Sequence, residues 1–75
     1  MPDTALTLTA LNAASKAASL AELDEAQAMA LAQLVKRLSW AELRACAASD
    51  AEAYTISDAV AKLQRLLADA GYAPR

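Results

Sequence analysis

The chain of 75 residues has no histidine and no phenylalanine, one cysteine, one glycine and one tryptophan. Each scarcity excludes something. Without histidine, the usual general base near neutral pH is missing. Cys46 alone forms no disulfide within the chain, and no zinc ligand set is in view around it. A single glycine rules out a glycine-rich phosphate loop. Positive charge is also short: seven Lys and Arg stand against nine Asp and Glu, a formal net charge of −2. That balance disfavours a nucleic-acid binder dominated by phosphate contacts, and it is too mild for an acidic mimic of DNA. No apolar run approaches the length needed to span a membrane. The start, Met1-Pro2-Asp3, lacks the basic flank and apolar block of a secretory signal, so a cytoplasmic protein is expected.

What is present is alanine, 22 of the 75 residues within a hydrophobic fraction of 57%. Alanine favours helix more than any other residue but buries little area per side chain. A small chain of Ala and Leu therefore has a thin core, and such scaffolds add a disulfide, a metal or a second subunit. With the first two set aside, self-association is the expected solution.

Residues 50–75 carry the clearest pattern. Ile56, Val60, Leu63, Leu67 and Ala70 follow at spacings of four, three, four and three, one stripe of a helix. Ala53, Ala59 and Leu66 widen it. Ser49 or Asp50 caps the start, Gly71 ends the helix and Pro74 forbids its restart. Tyr72 is placed to pack back on Leu67, the contact that accompanies a Schellman stop. Asp58 and Lys62 make an i,i+4 pair.

Upstream, Ser39-Trp40-Ala41-Glu42 reads as a capping box that opens a short helix, about Trp40–Ala47, with Trp40, Leu43 and Ala47 on its buried side. Before it, Leu20, Leu23, Leu31, Leu34, Val35 and Leu38 predict a first long helix ending in Lys36 and Arg37, which suit its negative pole. Two capping boxes compete for its start, Ser19 with Glu22 and Asp24 with Gln27, and the stripe supports the earlier one. Residues 1–19 are rich in Thr, Ser and Ala. Thr7-Leu8-Thr9 alternates like a short strand, but a lone strand would need a partner from another subunit. The favoured reading is a flexible arm, partly helical around Leu11–Ala18. The predicted fold class is all-α: a three-helix domain over residues 20–75, of long helix, short corner helix and long helix, with a flexible or partly ordered arm over residues 1–19.

Asp24-Glu25-Ala26-Gln27, Leu31-Ala32-Gln33, Lys36-Arg37, Asp50-Ala51-Glu52-Ala53-Tyr54 and Ala70-Gly71-Tyr72-Ala73-Pro74-Arg75 resemble a family of small bacterial and phage-associated proteins known only as a domain of unknown function. The resemblance covers about residues 23–75 and leaves the arm outside. It implies a prokaryotic or mobile-element setting and carries over no activity.

Five residues are candidates for partner binding. Tyr54 stands away from the apolar stripe, on the side of Asp58, Ala61 and Arg65, where it serves as an anchor for a partner or lies on the rim of the fold. Arg44 is one turn after Trp40, within reach of stacking on the indole, and with Lys36 and Arg37 it outlines a basic corner or simply a solvated surface. Cys46 has no base beside it and reads as a small half-buried side chain. Glu22, Asp24 and Glu25 suggest paired carboxylates, which capping and dipole complementation explain without catalysis.

The sequence thus predicts a helical protein–protein interaction module, an adaptor or inhibitor, homo-oligomeric, not an enzyme, with no cofactor, no metal and no membrane association. Its sharper form, suggested by the resemblance, is a phage-type inhibitor of a host complex such as a CRISPR effector. The alternative is a small DNA-binding transcriptional regulator, because short helix, brief turn and longer helix outline a helix-turn-helix. Asp50 and Glu52 at the start of the last helix oppose that alternative by repelling phosphates.

Overall fold

The computed structural model describes residues 3–73. The expectations placed on Met1, Pro2, Pro74 and Arg75, including the proline stop, lie outside the described residues. The order is strand β1 (Leu6–Leu11), strand β2 (Ala18–Leu23), helix α1 (Glu25–Arg37), helix α2 (Trp40–Cys46) and helix α3 (Asp50–Asp69).

The all-α expectation is overturned at the first step. Residues 6–23 form an antiparallel hairpin, and the protein is α+β. The alternation of Thr7-Leu8-Thr9 does mark a strand, and its partner is in the same chain, with Thr9 facing Leu20 and Leu6 facing Leu23. Leu20 through Leu23, assigned to the first helix, are extended instead.

The turn explains how this happens without glycine. Asn12 Oδ1 accepts from the N–H groups of Ala14 and Ser15, at 3.0 and 2.9 Å. The Asn12 carbonyl accepts from Lys16 N–H at 2.8 Å, and Asn12 N–H donates to the Ala17 carbonyl at 2.9 Å. Asparagine closes such turns by imitating the backbone with its own amide. The cost falls on Lys16, which takes a left-handed conformation with φ 62°, normally reserved for glycine or asparagine.

The pleat then decides the faces. Leu6, Leu8 and Leu23 lie on one side and join the core, while Leu11, Leu20 and Glu22 lie on the other, in solvent.

Once β2 runs to Leu23, the later of the two competing caps takes over. Asp24 Oδ1 accepts from Gln27 N–H at 2.8 Å and Gln27 Oε1 accepts from Asp24 N–H at 3.0 Å, a complete capping box. Ser39 caps α2 by accepting from Glu42 N–H at 3.4 Å. The Glu42 carboxylate, expected to reach the Ser39 N–H, accepts from the Ser39 hydroxyl instead, at 3.1 Å. Ser49 caps α3.

The end of α3 follows its sequence closely. Gly71, at φ 96°, donates to the Ala68 carbonyl, and Tyr72 N–H donates to that of Leu67 at 2.8 Å. These are the two bonds of a Schellman motif. Tyr72 folds back into the core beside Leu67. Its hydroxyl donates to Glu25 Oε2 at 2.8 Å, tying the end of α3 to the start of α1, as opposite-running neighbours require.

The core is thin. It consists of Leu6, Ala28, Ala32, Val35, Leu67 and Tyr72, with Leu8, Leu23, Leu31, Val60 and Leu63 partly buried around it. On α1 the fully buried positions are Ala28, Ala32 and Val35, not the leucines of the predicted stripe, and Leu34 is exposed. Small side chains let α1 and its neighbours approach closely, so the leucines flank the contact rather than fill it. Trp40 corrects another expectation. α2 buries no residue, and Trp40 is exposed rather than on a buried side. Among the described residues no helix is long and apolar enough to cross a membrane.

Candidate functional site: the aromatic corner of α2 and α3

Trp40 is the first residue of α2, fixed there by the Ser39 cap, and Tyr54 lies one turn into α3. The tight Ala47–Ser49 connection brings them together. Their ring centroids are 4.6 Å apart, with planes tilted by 40°. Offset and tilted arrangements of this kind suit the ring quadrupoles. Trp40 is nevertheless 44% exposed and Tyr54 64% exposed. The pair stiffens the corner while leaving two large rings open to solvent.

Arg44 is committed elsewhere than to the indole. Its Nε pairs with Asp50 and its Nη1 donates to the Ala47 carbonyl at 3.1 Å. One guanidinium thereby holds the end of α2 to the start of α3 and satisfies a carbonyl left open by the helix end. Among the described residues this is the only ion pair, so Asp58 and Lys62 are not joined.

The other candidates are dispersed. Arg37 ends α1 just before the Ser39 corner and is exposed. Arg65 lies farther along α3 and lines an open depression of about 360 Å³ together with Ala32, Ala61, Leu67, Ala68 and Tyr72. The structure thus joins Trp40 and Tyr54, commits Arg44 to bracing α2 against α3, and leaves Arg65 in a separate concavity. Sequence reasoning considered Trp40 and Tyr54 separately. The signal for joining them was the capped corner at Ser39 and Ser49, which fixes where two rings fourteen residues apart in the chain must meet.

The carboxylates are occupied. Asp24 caps α1, and Glu25 accepts from Tyr72. That hydrogen bond raises the Tyr72 phenol above its ordinary pKa of 10.0, since it favours the protonated donor, with burial and the Glu25 charge adding to it. Cys46 is exposed and free, not half-buried as expected. Among the described residues no group of three or more His, Cys, Asp and Glu gathers as a metal set would.

Fold and corner together define a small α+β protein: a hairpin packed on a three-helix unit that presents an aromatic pair. The chain belongs to the family of unknown function DUF7706, whose sequence profile matches residues 6–75. The match begins at the first residue of β1, so the hairpin is part of the family unit, where the resemblance had left it outside. No curated protein and no solved structure matches the chain.

Proposed function

We propose that this protein is a non-catalytic protein–protein interaction module, an adaptor or inhibitor of bacterial or mobile-element origin, which associates with copies of itself and docks a second protein through the Trp40–Tyr54 corner. The observation that supports it is the exposure of that tilted aromatic pair in a protein whose core is short of large side chains. Burying Trp40 inside would have been the simplest way to thicken the core. Large rigid rings held at the surface are the residues that dominate binding energy in protein interfaces, because they add contact area and lose little conformational freedom on binding. Arg44, one turn after Trp40 and braced to Asp50, supplies a polar neighbour to the pair. The cytoplasm is the proposed setting.

The test compares three tagged proteins in a lysate of the cells that encode the chain: wild type, Trp40→Ala with Tyr54→Ala, and Arg65→Ala. A protein retained by wild type and Arg65→Ala but lost with the aromatic pair supports the corner. Retention by all three moves the site elsewhere, and retention by none, at micromolar bait, overturns the docking reading. Circular dichroism confirms that each variant keeps its helices.

A further inference from the structure

We infer that two copies of this chain join along the free edge of β1, antiparallel across a two-fold axis at Thr9, into a four-stranded sheet ordered β2-β1-β1-β2. This rests on the proposed self-association and names the surface that performs it.

The first observation is size. A compact chain of 75 residues has a radius of gyration of about 11 Å, whereas this one has 14.1 Å and measures 42 × 37 × 20 Å. A compact protein of 7.8 kDa exposes about 4,400 Å², and this one exposes 5649 Å². The excess, roughly 1,250 Å², exceeds the ~800 Å² that each partner buries in a standard protein interface. The chain on its own is thus more open than its size requires, by an amount on the scale of one partner's share of a dimer interface.

The second observation is the openness of the hairpin. From Thr9 to Glu22 every described residue is exposed, so the far half of the hairpin stands off the helices. On its outer face Leu11 is 61% and Leu20 70% exposed. They are diagonal neighbours, since Leu11 pairs with Ala18 and Thr9 with Leu20. A two-stranded sheet with one open face is marginal in water, and further strands are the usual remedy.

The third observation selects the edge. β2 runs directly into α1 and contacts it more extensively than β1 contacts any helix; β1 reaches the core through Leu6 and Leu8 and leaves its far edge free beyond Thr7. The free side of β2 carries Glu22. β1 carries no charge, proline or glycine, and no charged residue stands anywhere from Thr4 to Ser15. Exposed edge strands are ordinarily protected by such residues against pairing with another chain; β1 has none of these protections.

The register follows from the ladder. Asn12 N–H donates to the Ala17 carbonyl, so Leu6, Leu8 and Ala10 turn their backbone groups towards β2. Thr7, Thr9 and Leu11 turn theirs outward. Pairing these three with a second copy is most complete with Thr9 opposite Thr9 and Thr7 opposite Leu11. The threonines of the axis then meet as a cross-strand pair, and each Leu11 gains cover from the other copy.

The experiment is light scattering coupled to size exclusion over a dilution series, on the full chain. Wild type is expected at twice the 7.8 kDa chain mass. Thr9→Lys and Thr9→Pro are expected to weaken the dimer by at least about tenfold. Thr9→Pro removes only an N–H that faces away from β2, a substitution edge strands accept. Should it nonetheless unfold, Thr9→Lys and a cross-link decide. In a Cys46→Ser background, Thr9→Cys should close an intermolecular disulfide in air, because residues directly opposite on antiparallel strands have Cα atoms within disulfide range. Leu20→Cys, on the far strand, should not. A dimer that survives Thr9→Lys with its helices intact, or cross-links at Leu20→Cys but not at Thr9→Cys, overturns the β1 edge and leaves self-association standing. A wild-type monomer at every concentration overturns both.

Discussion

Among the described residues Leu67 is the one large side chain that is fully buried, 1% exposed, in the core with Ala32, Val35 and the folded-back Tyr72. Replacing it by alanine removes three carbons. At about 0.8 kcal/mol per buried methylene the transfer loss alone is roughly 2.4 kcal/mol. The residual cavity adds to this, and measured Leu→Ala losses in cores run from about 2 to 5 kcal/mol. The depression beside Leu67 opens to solvent, so the site relaxes more easily than a sealed core, and a loss of about 3 kcal/mol is expected. A domain of this length has about 4 to 11 kcal/mol in all. Leu67→Ala should therefore consume a large part of its stability. The same substitution at Leu63, partly buried, should cost about 1 to 2 kcal/mol, and at Leu66, 53% exposed, under about 1 kcal/mol. Urea titration followed by far-ultraviolet circular dichroism, at a protein concentration held constant, measures all three. The order Leu67, Leu63, Leu66 is the prediction. A loss at Leu66 equal to that at Leu67 would refute it, because the apolar side of α3 would then be covered on a face that this fold leaves open.

Three further outcomes are expected. Lys16→Gly should stabilise the hairpin by up to about 1 kcal/mol, since glycine adopts the left-handed conformation without steric cost; a loss in chemical denaturation would show that the turn closes differently. Asp24→Ala should cost about 1 kcal/mol through its short, reciprocal cap, and Ser39→Ala less, because its bond to Glu42 N–H is long; the reverse order in melting temperature would contradict the cap geometry. Tyr72 titrates only at high pH. Its folded pKa is raised, so its contribution is complete below the unfolded value of 10.0 and is lost as pH rises through the folded value. Wild type should therefore lose melting temperature above pH 10 more steeply than Tyr72→Phe, which has no phenol to ionise beside Glu25; parallel profiles would mean that the hydroxyl and the carboxylate are not in contact.

Much of this protein was legible locally. The Ser39 and Ser49 corners and the Schellman end at Gly71-Tyr72 are each written within four to six residues; the Asp24–Gln27 box is equally short, but the apolar stripe favoured its competitor at Ser19–Glu22. Backbone groups at helix ends must find partners nearby, so their signals are short and specific. The membership of α3 in a helix is likewise written in its spacing. The candidate corner was half legible: Trp40 and Tyr54 stood out as rare large rings, but not as a pair.

What the sequence by itself determined, then, is where the second and third helices start, where the third stops, and that the core must be thin. What only the tertiary structure decided is the state of residues 6–23 and the depth of each apolar side chain. Ser19-Leu20-Ala21-Glu22 satisfies a helix cap as well as a strand, and local preferences alone favour the helix. Pairing with β1 and burial of Leu6 and Leu23 against α1 tip the choice to extended chain, because ladder hydrogen bonds and core contacts reward β2 only when both partners are already in place. The same non-local geometry buried Ala28 and Ala32 where the sequence offered leucines, since close approach of two elements favours the smallest side chains at the point of contact.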